Sequence, residues 1–166
     1  MTLRTAPEWA RGLARGEADA ELAPLYPGET GFRQNYLGAL ELFSAAFGAE
    51  RPALLASAPG RTELGGNHTD HQRGRVLAAA VSLDMVAAVA PREDLRARVR
   101  SKGMPDVDVD LSRLAPDKSE EGSSAALVRG VAAGVAGLGE KIGGFDAALV
   151  SAIPVGAGLS SSAAYE

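Results

Sequence analysis

No cysteine occurs among the 166 residues, so disulfides, thiolate metal sites and a cysteine nucleophile are all excluded. No apolar run approaches the ~18 residues of a membrane-spanning helix. The opening stretch, MTLRTAPEWARGLARGEADAELAP, holds no apolar core of an export signal. A block of Lys and Arg is missing too: 17 basic residues stand against 21 acidic ones, for a formal net charge of -4, which leaves no electrostatic footprint for nucleic acid. These absences point to a cytoplasmic protein with small-molecule partners and neither membrane nor nucleic acid. What is present, 46% hydrophobic and 23% charged residues, fits a globular domain with a real core, or one domain plus part of a second.

Residues 1–31 are rich in Ala, Glu, Arg, Pro and Gly and poor in bulky apolar groups, which predicts a loosely structured leader with at most one short helix. From Phe32 the apolar positions Phe32, Tyr36, Leu37, Leu40, Leu42, Phe43, Ala46 and Phe47 recur at helical spacing, and Gly48 is a natural stop. Strands are expected at Ala53–Ser57, Thr62–Gly65, Arg75–Val81, Met85–Pro91, Leu95–Ser101 and Val107–Leu111, the last two alternating like sheet edges. Leu114–Gly122, with Pro116 and a run of charges, reads as a surface loop. Ser123–Gly137 reads as a helix with Leu127, Val128, Val131, Val135 and Leu138 on its apolar side. Phe145–Ile153 is a strand, and Pro154–Gly158 a glycine loop that opens a helix near Ser160. The fold class expected is α+β, a mainly antiparallel sheet with packed helices.

Two constellations carry chemistry. In Ala58–Asp70, APGRTELGGNHTD, an arginine, a glutamate, an asparagine, a histidine, a threonine and an aspartate crowd between glycines, and such polarity needs solvent or a ligand. In PVGAGLSSSAA, residues 154–164, glycines precede three serines at a helix start. Free N–H groups there favour an anion, glycines let the backbone approach a phosphate, and a serine hydroxyl can ligate Mg²⁺ carried by a nucleotide. The loop lacks the Gly-Lys-Ser/Thr ending of the common P-loop. Taken singly, each feature has a plainer reading. Serine caps helices, Arg61 can pair with Glu63, His68 can be structural, and Asp70 can cap a turn.

Together the two stretches resemble the galactokinases within the GHMP family of small-molecule kinases. PVGAGLSSSAA is similar to that family's nucleotide loop, Pro-x-x-x-Gly-Leu-Ser-Ser-Ser-Ala, at every defining position. APGRTELGGNHTD is similar to the signature Gly-Arg-Val-Asn-Leu-Ile-Gly-Glu-His-Thr-Asp-Tyr. The resemblance covers residues 32–166, with the signature at 58–71, and implies the N-terminal half of a GHMP kinase, similar to the second domain of ribosomal protein S5 and truncated at its C-terminal end. It implies a sugar 1-kinase using ATP and Mg²⁺ to convert galactose to galactose 1-phosphate. Arg61 then matches the arginine that stabilises charge on the transferred phosphoryl group. Asn67, His68, Thr69 and Asp70 match sugar-binding positions. Gly156, Ala157, Gly158, Leu159, Ser160, Ser161 and Ser162 match the ATP-phosphate loop, with Ser162 as the Mg²⁺ ligand.

The chain also departs from the pattern. The signature's glutamate is Asn67 and its final tyrosine is His71. An asparagine keeps an acceptor, loses the charge and gains donors, so kinases for another sugar, such as N-acetylgalactosamine or arabinose, and a sensor that binds sugar and ATP without turnover remain alternatives. The family's catalytic aspartate lies beyond Glu166, and these 166 residues are expected to be inactive alone. Oligomeric state is left open.

Overall fold

A computed structural model describes residues 3–66 and 74–166. Among these residues five α-helices and five strands follow in the order α1 Ala6–Ala14, α2 Asp19–Leu22, α3 Arg33–Phe47, β1 Leu54–Gly65, β2 Leu77–Arg92, β3 Arg96–Ser101, β4 Val107–Asp110, α4 Ser124–Gly137, β5 Gly144–Ser151 and α5 Ser161–Tyr165. The strands form one sheet, ordered β1-β2-β5-β3-β4. Neighbours run antiparallel except β3 and β5, which are parallel, so the α+β sheet is mixed. β4 is an edge as its alternation predicts, whereas β3 lies inside, between β5 and β4.

The central strands alternate strictly, and each face takes its own helix layer. Val86, Ala88 and Ala90 of β2 join Ala148 and Val150 of β5 beneath α1 and α3, around Tyr36, Ala39, Leu40 and Phe43. Those four α3 positions recur at i, i+3, i+4 and i+7, which sets one stripe of the helix against the sheet. Gly48, at φ 101°, ends the helix where an L side chain would be strained. The opposite face, with Val99, Ala147 and Leu149, packs against α4 through Val128.

The N-terminal segment is not the loosely attached leader its composition suggests. Thr5 caps α1 in a reciprocal box with Glu8, and Arg4 bridges Ala53 next to β1. The Trp9 indole donates to the Ala53 carbonyl at 2.8 Å. Ala6, Leu13, Leu22 and Tyr26 are buried in the core beneath α3. The apolar residues are few, but each is placed to be covered.

Two further expectations change. Ala53–Ser57 and Thr62–Gly65 are one strand, because Pro59 and Gly60 sit at a register shift rather than in a turn. An edge strand tolerates proline, having one side without ladder partners. Likewise 75–81 and 85–91 merge into β2. On α4, Val128 and Ala132 face the sheet, while Val131, Val135 and Leu138 stay partly or wholly exposed. The rotation is set by Arg129, whose buried guanidinium donates to Glu120 at 2.6 and 2.7 Å and to the Asp110 carbonyl at 2.9 Å. Among the described residues no helix is long and apolar enough to cross a membrane.

Candidate functional site

Arg61 stands on edge strand β1 directly beside the glycine and serine loop. Its backbone N–H donates to the Leu159 carbonyl at 3.0 Å, which joins the two constellations. The neighbouring Gly60 is buried, and a Cβ there would lie 3.1 Å from Leu159 O, 3.2 Å from Leu83 O and 3.2 Å from Val81 Cγ2. Only glycine lets the loop approach the strand this closely. Residue Gly60 drew no attention in the sequence, since nothing in a one-dimensional pattern reports what approaches a backbone from 100 residues away.

The Arg61 side chain is 55% exposed and pairs with Glu63 at 3.2 Å. This is the plain pairing the sequence allowed. An exposed ion pair of this kind contributes only ~0–1 kcal/mol, so the guanidinium can be redirected to a stronger anion at small cost. Asn67, His68, Thr69 and Asp70, with His71 after them, lie outside the described residues.

The loop itself is open. Gly156 and Gly158 take φ of 77° and 70°, with free space where a Cβ would point. Among the described residues the N–H groups of Gly156, Gly158, Leu159 and Ser160 have no acceptor. Ser160, at φ 60° and ψ 44°, adopts the left-handed conformation, and its side chain accepts no capping hydrogen bond. A non-glycine residue held there costs about 1–3 kcal/mol and marks a backbone constrained for a purpose. Ser161 and Ser162 begin α5, and Ser162 is exposed. Open amides, glycines at positive φ and unoccupied hydroxyls suit phosphate oxygens and a phosphate-borne Mg²⁺. Among the described residues no group of three His, Cys, Asp or Glu could hold a metal by itself.

Neither Arg61 nor residues 154–162 line the clefts of about 430 Å³, between the N-terminal helices and β1, or about 220 Å³, along α4. Among the described residues, the Arg61 side chain and the loop thus form an exposed face.

A second polar group sits behind this face. Asp84 of β2 is only 3% exposed. Its Oδ2 accepts from the Tyr26 hydroxyl and, at 2.5 Å, from Ser57 Oγ. The Tyr26 and Tyr36 hydroxyls are 2.9 Å apart. Burial foremost, then the bond to Asp84, pushes the Tyr26 hydroxyl far above its ordinary pKa. A lone aspartate inside the apolar run VSLDMVAAVA is the sequence signal that could have exposed this group.

Comparison with known proteins adds an independent line. Residues 41–91 match the galactokinase galactose-binding signature. Galactokinase of Streptomyces coelicolor is 40% identical over 131 residues, covering 76% of this chain and 32% of its own length. The crystal structure of Lactococcus lactis galactokinase complexed with galactose superposes with a TM-score of 0.67 at 30% identity, over 75% of this chain and 32% of that one. Mevalonate kinase of Methanococcus jannaschii shares the fold at 17% identity and a TM-score of 0.54, over 68% of this chain and 37% of its own. The chain spans about a third of the length of the galactokinases it matches. By signature, sequence and fold together, it is related to the galactokinases of the GHMP kinase family.

Proposed function

We propose that this chain supplies the phosphate-binding and sugar-binding face of an ATP-dependent and Mg²⁺-dependent sugar 1-kinase that makes galactose 1-phosphate and ADP from galactose and ATP. The observation that carries the reading is the 3.0 Å bond from the Arg61 N–H to Leu159 O, which sets the signature arginine against the loop's open amides. In the reaction the anomeric oxygen forms a bond to the γ-phosphorus, the bond from that phosphorus to ADP breaks, and the hydroxyl proton leaves to a base. The transferred group spreads negative charge over its oxygens, so catalysis depends on positioning and charge neutralisation.

Residues 156–162 would hold the nucleotide phosphates through backbone N–H groups. The Arg61 guanidinium, released from Glu63, would lie along the transferred oxygens, where its planar fork makes two parallel bonds. Asn67, His68, Thr69 and Asp70 would orient the sugar, the carboxylate accepting from two neighbouring hydroxyls. Ser162 would hold Mg²⁺, which supplies charge neutralisation on the phosphates. The base is not among the residues assigned here, and the part of the relatives' length that this chain does not span is where it is expected.

Asn67 in place of the signature's glutamate favours a second reading, a kinase of the same chemistry acting on a different sugar. To decide, this chain is completed with the remaining two-thirds of the Streptomyces coelicolor galactokinase and assayed for ADP release with galactose, N-acetylgalactosamine and arabinose. Galactose turnover supports the first reading, and turnover of another sugar alone supports the second. Binding of sugar and ATP with no turnover replaces both by a sensor.

A further inference from the structure

We propose that Asp84 is a positioning residue, tying the N-terminal segment through Tyr26 to the strand ends from which the glycine and serine loop departs. The two carboxylate oxygens of Asp84 are unequally satisfied. Asp84 Oδ2 accepts from both Tyr26 and Ser57, while Oδ1 is buried with no partner among the described residues. A buried carboxylate oxygen left unsatisfied is costly, and an apolar side chain would avoid the cost. The position must return something.

Its backbone shows what. Asp84 pairs with Pro59 on β1, after which regular pairing resumes only at Arg61 and Ala80. Val81, Ser82 and Leu83 therefore bulge opposite Gly60, and the Leu83 carbonyl reaches 3.2 Å from where a Gly60 Cβ would stand. On the other side the Asp84 carbonyl accepts the Ala152 N–H at 2.8 Å, just past the last paired residue of β5. Asp84 thus stands where the β1 ladder is interrupted, just before Gly60 and Arg61, and at the end of the β5 ladder that leads into Pro154. Its side chain fixes that corner to Tyr26, whose ring is stacked on Phe32 at 4.4 Å. Two hydroxyls on one oxygen orient the carboxylate more sharply than packing alone would.

Tyr26→Phe tests this, because it keeps the ring and its stacking and removes only the hydroxyl. Amide hydrogen exchange on the whole chain is expected to speed up about tenfold at Ala152 and Ile153, whose N–H groups donate to Asp84 O and Ser151 Oγ, while residues 145–149 of β5 exchange unchanged. No change at Ala152 and Ile153, or an equal rise throughout β5, overturns the proposal, since the second marks a general loss of stability. Ser57→Ala, at a more exposed position, repeats the measurement if the first variant fails to fold.

A second readout, binding of Mg·ATP to the same proteins, rests on the proposed function, and about tenfold weaker binding by Tyr26→Phe is expected. If neither parent nor variant binds Mg·ATP, that function fails while the exchange result still decides the role of Asp84. Equal binding despite altered exchange overturns the link from Asp84 to the ligand.

Discussion

The backbone N–H of Arg61 donates to the carbonyl of Leu159 at 3.0 Å, so the strand with the signature arginine and the glycine and serine loop are tied together through their main chains. The bond is between main-chain atoms, so its donor and acceptor remain when either side chain is changed, except to proline at position 61. What controls it is the space between strand and loop, which Gly60 keeps clear.

Gly60→Ala should therefore be felt in both stability and ligand binding. Two of the three atoms a new Cβ would meet, Leu159 O and Leu83 O, belong to the backbone and cannot swing aside. Overpacking of this kind costs about 1–3 kcal/mol, and the loop should be displaced as well. Urea unfolding and Mg·ATP titration of the variant measure the two effects. A neutral substitution would mean that loop and strand do not pack as closely as described.

Arg61→Ala should separate catalysis from folding. The Arg61–Glu63 pair is largely exposed, so losing it changes stability by less than about 1 kcal/mol. An arginine that neutralises a transferring phosphoryl group is worth about 10³-fold or more in turnover. In the chain completed with the remaining two-thirds of the Streptomyces coelicolor galactokinase, kcat should fall by that order while the melting midpoint hardly moves. Turnover near that of the parent would remove Arg61 from the reaction.

Much of this fold was legible in the sequence, and the failures share causes. α3 and its stop at Gly48 followed from periodicity and a glycine, since both are local. The break placed at Pro59 and Gly60 was wrong because both residues suit a bulge on an edge strand, and edges are not visible before the sheet is assembled. Within the apolar stripe of α4, Val128 packs as expected but Val131, Val135 and Leu138 do not, because the Arg129 and Glu120 pair sets the rotation, a contact across nine residues and a turn. Within the candidate site, glycines and serines announced an anion loop. Its bond to Arg61 depends on the return of β5 to the sheet centre, which no spacing encodes. Asp84 and Asp146, each an acid inside an apolar strand, were readable signals of buried polar junctions.

Removing residues 1–31 tests the most consequential of these corrections. Leu13, Leu22 and Tyr26 would leave the cluster that covers Tyr36, Leu40 and Phe43. Fully burying a side chain of this size contributes about 1.5–3 kcal/mol, a large share of a typical domain stability of about 5–15 kcal/mol. The truncated chain should lose its cooperative melt and bind a hydrophobic dye. An unchanged, sharp transition by circular dichroism would restore the loosely attached leader.

Asp146 should govern how the chain responds to acid. It is fully buried in β5, held by Arg98 at 2.6 and 2.9 Å, by Arg92 at 3.2 Å and by Arg51. Burial pushes its carboxyl upward, but the Arg98 bonds and the charges of Arg51, Arg98 and Arg92 outweigh burial and hold it below the ordinary value. Asp94, bonded to Arg92, is lowered to about 2. A carboxyl lowered in the folded state takes its proton first in the unfolded chain, near pH 3.9. Stability is thus fully present above about pH 5 and falls as pH drops through the folded values. Asp146→Asn leaves three guanidinium groups around a neutral amide and should cost about 3–5 kcal/mol at pH 7. Its urea midpoints, taken from pH 7 to pH 2, should also decline less steeply than the parent's below pH 5. Arg51→Gln, which takes away one cation and leaves two, gives the same comparison in a milder form if the asparagine variant does not fold. Acid slopes identical to the parent's in both variants would show that Asp146 does not titrate with folding.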